Sequence, residues 1–257
     1  MELNIFDSHA HYDDEAFDED REQVIKDIKE AGVIGVLNCG SSFDGAKMSL
    51  ELALENDMFY AAVGVHPEYA NELDTQMLNE IKIMAGSSKV KAIGEIGLDY
   101  YYDENPPRDV QQKAFRMQMK LAEELGLPVV IHDRDAHEDT LTIIKEFPKV
   151  KGVVHCFSGS VEFARECLKQ GYYIGVTGVV TFKNAKKIVE VVKEIPIDRL
   201  LVETDCPYMA PTPFRGKRNK SDYIEYIIKE IAQIRGVEAQ YISENTIKNV
   251  RDLLNLK

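Results

Sequence analysis

Of the chain's six histidines, His9, His11, His66, His132 and His155 lie at or just past the ends of short apolar runs. Imidazole is the commonest side-chain metal ligand near neutral pH. His9 and His11 in DSHAH are spaced i, i+2. Alternation along a strand sends both rings to one side, where they could hold one ion. Asp7 shares that parity and is expected to orient the pair from behind. Glu95 ends the apolar run VKAIGE. A carboxylate placed there is costly unless a partner or a cation answers it. LLVETDCPY sets Glu203 and Asp205 on one face, with Glu203 one pleat deeper. HxH alone recurs by chance, so the weight lies in the same placement repeated on several strands.

Four histidines with Glu95 and Asp205 exceed what one catalytic zinc takes. They suit two divalent ions about 3.5–4 Å apart. The expected division gives His9, His11 and Asp205 to one ion, His132 and His155 to the other, and Glu95 to both. A metal-activated hydroxide would be the nucleophile, with Asp205 taking its proton, so Asp205 and Glu95 are the candidate catalytic groups. Glu203 is either a buried structural carboxylate or a participant in catalysis, and both stand open. Lys91 cannot bridge metals in place of Glu95, because it lies roughly 13 Å upstream at about 3.3 Å per residue. No GxSxG elbow is present, and Cys156 and Cys206 lack a dedicated base, which leaves them as packing residues. Imidazole-rich sets suit Zn²⁺, Mn²⁺ or Fe²⁺.

Such groups need a scaffold that brings strand ends together. Strands are expected near Ile5–His9, Val33–Asn38, Phe59–Val65, Val90–Glu95, Pro128–His132, Gly152–Cys156, Tyr172–Val176 and Leu200–Asp205. Amphipathic helical stretches separate them, REQVIKDIKEAG, DVQQKAFRMQMKLAEELG and VEFARECLKQG being the clearest, and these end at Gly32, Gly126 and Gly171. Eight βα units in series predict a single (β/α)8 TIM barrel, whose chemistry gathers at the carboxyl ends of the strands. The tail after Gly236 predicts an additional C-terminal helix, and residues 1–257 are expected to form a single domain.

Composition agrees. The chain has 257 residues, 44% hydrophobic and 29% charged, which excludes a disordered or membrane-like protein. No apolar stretch approaches the roughly 20 residues of a membrane span, and MELNIFDSHAHYDD has no signal-like core. Cys39, Cys156, Cys167 and Cys206 form no CxxC pair, as expected of a cytoplasmic protein. A net charge of −13 argues against whole-surface binding to nucleic acid while permitting a local basic patch.

The segments DSHAH, GVHP, GEIGLDYY, IHDRD, HCFSG, VTFKNAK, LLVETDCPY and FRGKRN together resemble the TatD-type metal-dependent deoxyribonucleases of the amidohydrolase superfamily. The resemblance runs from the first strand to beyond the eighth. It implies metal-dependent DNA hydrolysis, often from the 3′ end, with RNA or mischarged aminoacyl-tRNA as other substrates. It implies His9, His11, Glu95, His132, His155 and Asp205 as ligands, with no departure from the family's pattern, and it keeps Mg²⁺ among the candidate ions. His66 and Asp99 are implied to touch substrate or leaving group. Arg215, Lys217, Arg218 and Lys220 follow Asp205 closely and could hold phosphates, or form an ordinary solvated loop. Tyr100, Tyr101 and Tyr102 could stack unpaired bases, or pack against their own loop.

Three functions are consistent with these residues. The first is a two-metal phosphodiesterase acting on DNA ends or single strands. The second is an amide or ester hydrolase for a small molecule or a D-aminoacyl-tRNA. The third, a barrel keeping metal only as structure, is disfavoured because structural sites close their coordination. No obligate protein partner and no membrane association are expected.

Overall fold

The structure, a computed structural model, describes residues 3–256. Its strands are β1 (Ile5–Ala10), β2 (Val33–Cys39), β3 (Phe59–Val63), β4 (Val90–Asp99), β5 (Val129–Arg134), β6 (Gly152–Val154), β7 (Tyr173–Val176) and β8 (Leu200–Val202). All neighbouring pairs are parallel and follow chain order from β1 to β8. The helices are α1 (Arg21–Glu30), α2 (Phe43–Glu55), α3 (Thr75–Met84), α4 (Arg108–Leu125), α5 (His137–Glu146), α6 (Val161–Lys169), α7 (Lys186–Glu194), α8 (Ile224–Arg235) and α9 (Ala239–Leu254). This is a (β/α)8 barrel with an extra C-terminal helix.

Closure of the barrel takes place beyond the end of β8. The Asp205 amide donates to the His9 carbonyl at 3.0 Å, the His11 amide donates to the Cys206 carbonyl at 2.9 Å, and Ala10 bridges Cys206. The seam is therefore made at the carboxyl rim, by the segments that carry the candidate ligands.

Side-chain alternation sorts the strands into two layers. Phe6, Leu37, Ala62, Ala92, Val130, Val153 and Leu201 fill the barrel interior. Residues of the other parity, such as Val36, Ile93, Ile131, Val154 and Val202, pack outward against the helices. α9 brings Val250 and Leu254 against the interior cluster, and the Asn249 amide donates to the carbonyls of Ile197 and Leu200 at 2.7 and 2.8 Å. The last helix thus stoppers the amino end of the barrel. α4 and α8 end at Gly126 and Gly236, both at φ 66°, a left-handed cap that costs glycine little.

Seven strand ends depart from expectation: β1, β2 and β5 run on to Ala10, Cys39 and Arg134, β3 stops at Val63, and the other three bear on the site. β6 and β8 stop at Val154 and Val202, short of Cys156 and Asp205. Those two residues have φ 42° and 57°, where a strand ladder cannot continue. β4 runs past Glu95 to Asp99, because Gly97, Leu98 and Asp99 stay in register with His132, Asp133 and Arg134 of β5.

Candidate metal centre

β1, β4 and β5, with the segments just past β1, β6 and β8, deliver His9, His11, Glu95, His132, His155 and Asp205 to one cluster. His9 Nε2 and His11 Nε2 lie 3.0 Å apart. Glu95 Oε2 is 3.4 Å from the first and 3.5 Å from the second, and Asp205 Oδ1 is 3.6 and 3.4 Å from the same two nitrogens. The other Glu95 oxygen faces the second group, with Oε1 2.6 Å from His155 Nε2 and 2.9 Å from His132 Nδ1. One carboxylate therefore turns one oxygen to each half of the cluster. The His9 and His155 rings stack at 3.9 Å, which holds the halves in contact.

This donor set suits divalent cations. The His11 Nδ1–H donates to the Cys39 carbonyl at 2.6 Å, which leaves the Nε2 lone pair aimed inward. Two ring nitrogens and two carboxylate oxygens then face one another at a point where some positive charge must stand. Burial alone would lower the His11 ring, but the Asp205 hydrogen bond and the charges of Glu95 and Asp205 push it up to about 10. Burial likewise opposes protonation of His132, yet Asp99 and Glu95 push that ring up to about 9. Glu95 stays well below the usual carboxylate range against the effect of its burial, because His155, His9 and His66 surround it. Burial also tends to raise Asp205, but the bond from His11, with the His155 and His9 rings beside it, holds it low. A divalent cation among these nitrogens and oxygens would answer the carboxylate charge. Three groups could each hold an ion: His9, His11 and Asp205; His9, Glu95 and His155; and His66, Asp99 and His132.

The third group is the least suited. His66 Nδ1 accepts the Glu68 amide at 3.2 Å, so in the neutral ring Nε2 carries the proton. Burial first, then the His132 charge, push His66 down to about 3, which keeps it neutral. Its inward nitrogen, 3.7 Å from Glu95 Oε1, is a hydrogen-bond donor rather than a ligand. Asp99 Oδ2 lies 3.1 Å from His132 Nε2 and Oδ1 accepts the Tyr101 amide at 3.0 Å, so Asp99 orients one ring and fixes the loop that follows.

Glu203 is fully buried. It accepts the Cys156 amide at 2.5 Å and the Ser8 hydroxyl at 3.3 Å, and its Oε1 lies 3.8 Å from His155 Nδ1. Burial pushes it up to about 7, against the pull of His155. It holds the turn that carries His155. Asp7 does not touch the His9 and His11 rings. It accepts the Thr204 amide and hydroxyl at 3.0 and 2.6 Å, the Ser221 hydroxyl at 2.7 Å and the His9 amide at 3.3 Å. A register irregularity in β1 between Asp7 and Ala10 breaks the simple parity, and Asp7 instead fastens the segment after β8 to β1.

The basic loop divides in two. Arg218 is committed: its guanidinium donates to both Asp20 oxygens at 2.8 and 2.6 Å and to the Ala16 carbonyl at 2.6 Å. Arg215 lies over the Phe182 ring at 4.4 Å and makes no ion pair among the described residues. His137, the remaining histidine, opens α5 and pairs with Asp133 at 2.5 Å, next to His132 in the chain, and Thr140 donates to the other Asp133 oxygen at 2.8 Å. The Arg218–Asp20 pair joins residues 198 apart and depends on how two loops meet, whereas His137 and Asp133 are only four apart.

The model of the family described as TatD related DNase matches residues 6–255. An uncharacterised metal-dependent hydrolase, YabD of Bacillus subtilis, is 45% identical over 254 residues, covering 98% of this chain and 99% of that protein. A 3′-5′ ssDNA/RNA exonuclease TatD of Erwinia tasmaniensis is 36% identical, covering 98% of this chain and 100% of that one. Among solved structures, the TatD homologue YjjV of Escherichia coli superposes with a TM-score of 0.93 at 31% identity and full coverage of both chains.

Proposed function

The chain belongs to the TatD-related DNase family, as a metal-dependent hydrolase, and from that premise we propose that it cleaves phosphodiester bonds of DNA from a 3′ end. The observation that carries this reading is the Glu95 carboxylate, which faces His9 and His11 with one oxygen and His132 and His155 with the other. On this reading His9, His11, Glu95 and Asp205 hold one divalent cation, and Glu95, His132 and His155 hold the second. Zn²⁺, Mn²⁺, Fe²⁺ and Mg²⁺ are the candidate ions. Bound there, the ions supply the positive charge that polarises phosphoryl oxygens and makes water acidic near neutral pH.

The protein's own groups do the rest. The side chains of His132 and Asp205, 17% and 14% exposed, are the open members of the cluster and mark where substrate enters. Asp205, held ionised by its histidine neighbours, accepts the proton of the attacking water. Neutral His66 donates its Nε2–H to a substrate oxygen. Asp99 and Glu203 position His132 and the His155 turn. Arg215 offers a guanidinium to a phosphate further along the strand.

We take residues 1–257 as one domain working in the cytoplasm, an assignment that the four free thiols support. No helix among the described residues is long and apolar enough to cross a membrane.

One panel tests the function. End-labelled single- and double-stranded DNA, RNA and an aminoacyl ester are each assayed with Mg²⁺, Mn²⁺, Zn²⁺ and Fe²⁺, with Glu95→Ala as control. DNA shortened from its 3′ end, with loss of activity in chelator, is the expected outcome. Cleavage of the ester with every phosphodiester intact would overturn the assignment.

A further inference from the structure

The run Tyr100–Tyr102 separates into two kinds of residue. Tyr100 packs against the core, and its hydroxyl donates to Asp139 at 2.8 Å. Tyr101 and Tyr102 are exposed, at 55% and 50%. Their rings meet edge to face at 4.8 Å, and the Arg134 guanidinium lies over both, at 3.9 and 4.8 Å from the centroids. Arg134 Nη1 also donates to the Tyr102 hydroxyl at 3.3 Å. Among the described residues Arg134 makes no ion pair. Two large, half-exposed rings and a cation are thus held in order at the rim.

Their placement is set by the site. Arg134 lies two positions past His132 on β5, and Asp99 pairs with it in register across to β4. The Tyr100 amide donates to the Arg134 carbonyl at 2.9 Å, and the Tyr101 amide donates to the same Asp99 that holds His132. Two strand residues span about 7 Å, so the platform begins within a nucleotide's reach of the metal centre.

We propose that Tyr101, Tyr102 and Arg134 form a stacking platform for one unpaired nucleobase of a single-stranded nucleic acid whose phosphodiester lies at the metal centre. The proposal rests on the nuclease reading above. A base rather than a second phosphate is the occupant, because the platform offers two exposed rings to one guanidinium, and its chain neighbours Asp103, Glu104 and Asp135 are acidic. An aromatic face and a guanidinium plane both stack on bases and tolerate any sequence. Inside a duplex both faces of a base are already covered by neighbours, so the platform selects unpaired ends.

The chain contains no tryptophan, so Tyr101→Trp installs a single reporter on the platform itself. Phosphorothioate oligothymidylate should quench its fluorescence at concentrations about tenfold lower than an abasic phosphorothioate chain of equal length. In the Tyr101→Ala, Tyr102→Ala double variant, the ratio of kcat/KM for oligothymidylate over the abasic chain should fall about tenfold. Tyr101→Phe with Tyr102→Phe, which keeps both rings, should preserve that ratio. Equal quenching by the abasic chain, or an unchanged ratio in the alanine variant, would overturn the platform. If neither chain is cleaved with any metal, the nuclease reading has failed, and the quenching comparison alone decides the platform.

Discussion

The Asp205 amide donates to the His9 carbonyl at 3.0 Å, and the side chains of the same two residues face each other 3.6 Å apart in the candidate metal centre. The bond that helps close the barrel and a pair of candidate ligands are therefore contributed by one pair of residues. Anything that loosens the β1–β8 seam also spreads the site.

Glu95 is the residue whose loss should be felt by both of the proposed ions. Glu95→Ala should lower bound metal by at least one equivalent, measured by elemental analysis after dialysis. Turnover should drop by more than the 10–100-fold typical of outer partners. Glu203→Gln keeps the acceptor for the Cys156 amide and should cost far less.

Gly97 sits at φ +142°, and a Cβ there would lie 2.0 Å from the His132 carbonyl oxygen. Gly97→Ala should lower the melting temperature by roughly 5–15 °C, combining backbone strain with overpacking. It should also weaken metal retention, because the clash displaces His132. Gly175→Ala offers a comparison, since its Cβ would meet Glu203 Oε2 at 2.4 Å rather than a candidate ligand.

Arg215 and Arg218 should behave differently, although they lie on one basic loop. Arg215→Ala should weaken nucleic-acid binding and reduce the magnitude of the log Kd against log [salt] slope by about 1, the signature of one lost phosphate contact. Arg218→Ala removes the ion pair to Asp20 and should lower thermal stability slightly while leaving that slope intact.

His137 is raised above its ordinary value, first by the hydrogen bond to Asp133 and against a smaller lowering by burial. A histidine raised in the folded state stabilises fully below its unfolded value near 6.5, and that contribution disappears as pH rises through the folded value. His137→Asn should therefore melt lower than the parent below pH 6, and the gap should close in alkaline buffer. Because the side chain is 35% exposed, the gap should be no more than about 2–4 °C.

The strand-end histidines, Glu95 and Asp205 were legible because each ends or follows an apolar run, and a barrel turns that linear regularity into one rim. The extra helix after Gly236 was legible from its periodicity. Parity failed at Asp7, where an irregular β1 sends the carboxylate to Thr204 and Ser221. The pairing of Arg218 with Asp20 spans 198 residues of chain and depends on how two loops meet at the rim. Arg134 escaped notice for a related reason. Only the β4–β5 register sets it beside Tyr101, so the triplet of tyrosines could be read either as packing or as stacking.

Anomalous diffraction from crystals grown with Mn²⁺ tests the centre most directly. Two peaks about 3.5–4 Å apart are predicted, one bonded to His9, His11, Asp205 and a Glu95 oxygen, the other to His132, His155 and the second Glu95 oxygen. A single peak among His66, Asp99 and His132, with Glu95 bound to nothing, would contradict it.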